Sequence, residues 1–103
     1  MRIIIDETVH LSIESFYRAA MHNHITLTFE TVENKKNRLY DSIADLRYYH
    51  KIYPKAYMKQ EWADAGWQEF ICEDFHFAYE SGFDASGEEI VYVHDAIHSL
   101  NYH

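Results

Sequence analysis

Apolar positions change their period along this chain, and the changes mark its elements. Arg2-Ile3-Ile4-Ile5 is a β-branched run and predicts a short first strand. Asp6 follows as a helix cap, with Glu7 in the first turn, where negative charge is favourable. Val9, Ile13, Phe16, Tyr17 and Ala20 then recur at helical spacing and lay one apolar face along a first helix, which Asn23 ends. From His24 to Thr31 two periods compete. Ile25, Leu27 and Phe29 alternate with Thr26, Thr28 and Glu30, as in a strand. From Phe29 onward, Val32, Lys36 (through its stem), Leu39, Ile43 and Leu46 keep a helical period, which predicts a second helix over 29–50. Pro54 cannot continue a helix and marks the exit.

The second half reads in period two. Residues 56–59 are expected to be a short strand, and Ala65-Gly66 a turn. Strands are predicted over 67–74 and 75–80. In the latter, Phe75, Phe77 and Tyr79 share one face and His76, Ala78 and Glu80 the other. Residues 81–87 hold two of the three glycines and predict a loop. Residues 90–97, rich in Val, Ile and Tyr, predict the last strand. The order is β-α-α-β-β-β, which places the chain in the α+β class. We expect a single domain over 1–103, with two N-terminal helices packed on a twisted antiparallel sheet. Phe16, Leu39, Ile43 and Leu46 should lie in its core.

Composition narrows the setting. The chain is 48% hydrophobic and 25% charged, the balance of an ordinary globular domain. No apolar run approaches the ~20 residues that span a bilayer, so no membrane partner is expected. Ile3–Ile5 is far too short for a signal-peptide core, and Cys72 has no second cysteine with which to form an internal disulfide. These features point to the cytoplasm. Cys72 itself reads as a small buried strand residue.

Charge is distributed unevenly. The net charge of −8 divides into −3 over 1–34, +5 over 35–59 and −10 over 60–103. The last segment contains ten acids and no Lys or Arg, so the sheet it forms is no broad phosphate-binding face. The one basic segment carries Lys35, Lys36, Arg38, Arg47, Lys51, Lys55 and Lys59, which become the candidates for contact with nucleic acid or an acidic protein tail.

The order of elements resembles the RelE/ParE superfamily of type II toxin–antitoxin toxins, and short motifs carry the same likeness. The run Gly66-Trp-Gln-Glu-Phe-Ile-Cys-Glu-Asp-Phe-His-Phe-Ala-Tyr-Glu80 is similar to that family's adjacent strands. Residues 90–99, Ile-Val-Tyr-Val-His-Asp-Ala-Ile-His-Ser, resemble its last strand, which ends in a histidine, here His98. The resemblance implies a RelE/ParE-like fold and a toxin neutralised by a cognate antitoxin that wraps the helices or adds to the sheet edge. It implies either ribosome-dependent cleavage of messenger RNA or inhibition of gyrase. The chain departs from the RNA-cleaving members in its charge. Glu69, Phe70, His76 and Phe77 stand where they carry Arg or Lys, and Leu100 stands where an Arg often follows the histidine.

Metal-independent RNA cleavage needs a base for the 2′-hydroxyl, an acid for the leaving oxygen and a stabiliser for the phosphorane. His98, Glu69, His76 and His103 are the candidate acids and bases. Tyr102 and Tyr79 are candidates for hydrogen bonding or base stacking. Arg47 and Lys59 are the nearest cations in chain order. No cofactor or metal is expected: His94 and His98, on one face of a strand, stand about 13 Å apart, too far for one zinc ion. No glycine opens a helix to cradle phosphate. The alternative is a non-catalytic binding protein on the same fold, gyrase-directed or derived from a toxin that has lost its cationic site. Expected partners are the antitoxin and, for the nuclease, ribosome and mRNA. Self-association into a homo-oligomer stays open.

Overall fold

The computed structural model describes residues 1–23 and 27–102. The strand-like alternation from His24 and the candidate His103 therefore fall partly or wholly outside the described residues. The order is β1 (Arg2–Ile5), α1 (Glu7–Asn23), α2 (Phe29–Ala44), α3 (Leu46–Tyr49), α4 (Gln60–Ala65), β2 (Gln68–Cys72), β3 (Phe75–Phe83) and β4 (Glu89–His98), closed by a 3-10 turn over Ser99–Asn101. The class is α+β.

The strands form one four-stranded sheet in the order β1-β4-β3-β2. It is mixed, not antiparallel as expected: β1 runs parallel to β4, pairing Arg2 with Ile90 and Ile5 with Val93. An apolar run specifies that a segment is a strand and which face it buries. It does not specify the direction of a neighbour distant in sequence.

Local chemistry explains each helix boundary. The Asp6 carboxylate accepts the Thr8 N–H at 2.9 Å and starts α1. The Asp6 N–H donates to the Val93 carbonyl at 2.9 Å, which fixes that start to the sheet. Thr28 Oγ1 accepts the Thr31 N–H at 3.1 Å and starts α2. The second helix is not continuous over 29–50. It ends at Ala44, and α3 restarts at Leu46. His50 closes α3 by donating from Nδ1 to the Leu46 carbonyl, while its own carbonyl accepts Gln68 Nε2 and the Tyr79 hydroxyl. Those contacts tie the end of α3 to the sheet, at the exit the apolar period predicts.

Three expectations in the second half are corrected. Residues 56–59 form no strand. Lys55 makes a single bridge to Gln68, after which the chain enters α4, a helix the sequence reading did not anticipate. Glu73 and Asp74 do not extend the strand of 67–74. Both take positive φ, 50° and 67°, and form the tight turn between β2 and β3. Ser81–Phe83 belong to β3 rather than to a loop, because β4 reaches back to Glu89 and supplies them with partners. The loop proper is 84–88, where the Asp84 carboxylate gathers the N–H groups of Ser86 and Glu88.

The helices α1, α2 and α3 cover one face of the sheet. Val9, Ile13 and Tyr17 of α1, Val32, Leu39 and Ile43 of α2 and Leu46 of α3 pack against Phe70, Phe75, Phe77, Tyr79, Val91, Val93 and Ala96. Leu39, Ile43 and Leu46 are buried as expected; Phe16 is only half-buried, at the margin of this core. Cys72 is likewise half-buried. The opposite face carries a smaller apolar cluster in which Trp62 of α4 and Ala56 lie with Ala78, flanked by Trp67, Ile97 and Tyr102. The pairing of β3 and β4 slips between Ala78 and Tyr79, so Ala78 faces Asp95 while Tyr79 faces Val93. His94 is the extra residue of this bulge. A bulge re-aims the side chains beyond it, and His94 and His98 consequently do not share a face.

Candidate active site around Glu69 and His76

Strand alternation puts Glu69 of β2 and His76 of β3 on the face away from α1 and α2, in diagonal register, since Glu69 pairs with Ala78 and Ile71 with His76. Their side chains meet. His76 Nδ1 lies 2.8 Å from Glu69 Oε2, and both side chains are largely shielded, at 13% and 14% exposure. The C-terminal segment closes over them. The Tyr102 ring stacks on the His76 ring with centroids 3.8 Å apart and planes 6° from parallel. Its hydroxyl donates to the Glu69 carboxylate, 2.9 Å from Oε1 and 3.1 Å from Oε2. Burial, and then the bond to Glu69, push the Tyr102 hydroxyl up to about 12. It therefore stays protonated and donating at neutral pH. The remaining imidazole nitrogen, His76 Nε2, meets Ser99 Oγ at 3.2 Å.

Carboxylate, imidazole and phenol thus converge, and the candidates Glu69, His76 and Tyr102 belong to the cluster. The candidate His98 does not. It pairs with Phe75 in register and lies on the helix-facing side, stacked on Phe16 at 3.7 Å and edge-on to Phe75 at 5.2 Å. Its Nδ1 accepts the Leu100 N–H at 3.1 Å. Burial pulls His98 below the ordinary histidine range and favours its neutral form. The sheet separates it from Glu69 and His76. Tyr79 also lies on the helix side, fully buried, its hydroxyl on the His50 carbonyl.

A groove of about 310 Å³ adjoins the pair, lined chiefly by Tyr53, Tyr57, Met58, Phe70 and Ile71 and reaching Glu69 and His76. Tyr57, Met58 and Ile71 are well exposed, so the groove is an open apolar wall beside two polar groups. Lys55 stands at its rim and donates to the Gly66 carbonyl at 2.7 Å.

The basic segment is dispersed by the fold. Lys35 and Arg38 of α2 both meet Glu73, at 3.5 and 2.7 Å. The Arg38 bond holds the Glu73 carboxyl below the usual range. Lys36 lies between Glu14 and Glu33, and Lys59 meets Glu61. Arg47 lies over the Tyr48 ring and donates to the Ala44 carbonyl. Lys51 is exposed. Among the described residues, no Lys or Arg is hydrogen-bonded to Glu69 or His76.

Two parts of the site were not foreseen from the sequence, Ser99 and the groove. Ser99 lies 23 positions from His76, and nothing in the local pattern marks it. The groove is assembled from the coil after α3 and the edge strand, with no periodicity to announce it. No family model, no curated protein and no solved structure matches this chain.

Proposed function

We propose that this chain is a RelE/ParE-like toxin, neutralised by a cognate antitoxin in the cytoplasm, that cleaves messenger RNA on the ribosome without a metal. The observation that carries the reading is the Glu69–His76 contact at 2.8 Å beside an aromatic groove. A carboxylate on Nδ1 fixes the imidazole tautomer and leaves Nε2 as the working nitrogen. Tyr53 and Tyr57 offer flat apolar surface for a nucleobase, as in single-strand binding generally. In this reading His76 serves as base and acid, Glu69 orients it, and Tyr102 holds both in place.

One observation favours the second reading, a non-catalytic binding protein of the same fold. No cation touches the pair among the described residues, so the phosphorane charge would need stabilising from the groove rim, where Lys55 stands, or from the ribosome. The test is cleavage of a reporter mRNA by purified protein with ribosomes. His76→Ala and Glu69→Gln should each lower the rate about 10²- to 10⁴-fold with the fold intact. Growth arrest on induction that persists unchanged in both variants would decide for the binding protein.

A further inference from the structure

We infer that Ser99 completes a proton relay with Glu69 and His76, its hydroxyl being the group through which His76 exchanges protons with a substrate. The inference rests on the proton-transfer reading of the pair given above. Most of the imidazole is already occupied or shielded. Nδ1 is held by Glu69 at 2.8 Å, one ring face lies under Tyr102 at 3.8 Å, and the whole side chain is 13% exposed. Nε2 is the one nitrogen left, and it points at Ser99 Oγ, 3.2 Å away, on a residue that is itself exposed.

The surroundings of Ser99 let the relay carry a proton in either direction. Its Oγ lies 2.8 Å from the Asp74 carbonyl, and its N–H donates to the same carbonyl at 2.7 Å. The backbone bond fixes the position of the residue, and the hydroxyl hydrogen stays free to rotate. When His76 is neutral, Nδ1–H donates to Glu69 and the Ser99 hydroxyl donates to Nε2. When His76 is an imidazolium, Nε2–H donates to Oγ and the hydroxyl turns to the Asp74 carbonyl. A hydroxyl both donates and accepts, so His76 Nε2 keeps a partner in both states, while the Asp74 carbonyl keeps the Ser99 N–H throughout and receives the hydroxyl when His76 is charged. His76 can gain or lose a proton at Nε2 without leaving either ring nitrogen unpartnered.

In the forward direction a substrate hydroxyl passes its proton to Ser99 Oγ while the Ser99 proton moves to Nε2. On the return, Nε2 gives a proton to Oγ and Ser99 gives its own to the leaving oxygen. Ser99 ends each transfer neutral and forms no covalent bond. The same order of groups would also suit a nucleophilic serine. The nearby N–H donors do not: Ser99 N–H is on the Asp74 carbonyl, Leu100 N–H on His98 Nδ1 and Tyr102 N–H on the Ser99 carbonyl. These three N–H groups are therefore not turned toward an oxyanion at Ser99, as acyl transfer would require.

The test uses the full chain labelled with ¹⁵N-histidine. In the wild type, Nδ1 of neutral His76 should be the proton-bearing nitrogen and Nε2 a hydrogen-bonded, unprotonated one. Ser99→Ala should shift the Nε2 resonance and speed carbethoxylation of His76 by diethyl pyrocarbonate several-fold, as mapped by mass spectrometry. Ser99→Thr should restore both. An Nε2 signal and modification rate in Ser99→Ala equal to wild type, or a proton resident on Nε2 with Nδ1 bare, would overturn the relay. In the ribosome assay, Ser99→Ala should lower cleavage about tenfold or more, with rescue by Thr. A wild type that cleaves no RNA while the resonances behave as stated refutes the nuclease reading and leaves the relay standing.

Discussion

Asp6 shows how one side chain couples a local cap to the tertiary fold. Its carboxylate accepts the Thr8 N–H at 2.9 Å and the Tyr92 hydroxyl at 2.8 Å, and these bonds hold its pKa at about 2 against an ordinary 3.8. A depressed carboxyl contributes stability that is fully present above its unfolded value and is lost as pH falls through its folded one. The contribution of Asp6 should therefore persist at neutral pH and fade between about pH 3.8 and 2. Asp6→Ala should melt at a lower temperature than wild type at pH 7, and the gap should close as the pH is lowered through that window. A gap constant from pH 7 to 2 would show that the carboxylate charge is not what stabilises the helix start. Tyr92→Phe should narrow the same window from the other side, since it removes one of the bonds that depress Asp6.

At the level of elements, α4 illustrates how a segment of six residues persists without helical strength of its own. Isolated helices of this length are not stable in water. Trp62 holds it: the indole is 1% exposed against Ala78 and Ala56, and its Nε1–H donates to Asp95 at 3.1 Å. Gly66 ends it at φ 75°, a conformation that Gly adopts without strain. Trp62→Ala should cost about 3–5 kcal/mol in denaturant unfolding. It should also loosen Tyr102, whose ring lies 5.8 Å from the indole. Fluorescence of the other tryptophan, Trp67, which stacks on His94 at 4.0 Å, would report whether the rest of that face stays ordered. A loss under about 1 kcal/mol would mean that α4 is peripheral.

For the molecule as a whole, two quantities follow from the assembled core and surface. Leu39 and Leu46 are both fully buried where α2 and α3 meet the sheet. Leu39→Ala and Leu46→Ala should each cost about 2–5 kcal/mol, measured by urea unfolding. On the surface, Lys35, Lys36, Arg38 and Lys59 meet carboxylates and Lys55 a carbonyl. Arg47, Lys51 and Lys55 are then the members of the basic segment with no ion pair among the described residues. If the nuclease reading holds and these three cations take phosphates, affinity for single-stranded RNA off the ribosome should fall with salt at a log–log slope of about −2.1. A slope several times steeper would show that the ion pairs on α2 open on binding.

The sequence by itself determined the class, most of the helix-facing core and the four strands of the sheet, because those are written in the spacing of apolar residues; it did not determine the absence of a strand at 56–59. Val9, Ile13 and Tyr17 are buried where a helical period puts them, and Phe75, Phe77 and Tyr79 where a strand's alternation does. Local chemistry also made the Asp6 cap and the Ala65-Gly66 turn legible. Tertiary structure decided what depends on partners distant in the chain. It set the parallel direction of β1, the break at Asp45 and the docking of α4. It also set the bulge that parts His94 from His98, since a single slipped pair between strands leaves no trace in either strand's own pattern. The candidate site divides the same way. Glu69 and His76 were nameable as residue types, and alternation assigned each a face. Their contact at 2.8 Å depends on the register of a two-residue turn, and the contacts of Tyr102 and Ser99 depend on where the end of β4 lies against that turn. Spacing along a chain fixes which face a side chain takes; only the packed sheet fixes which side chain it meets there.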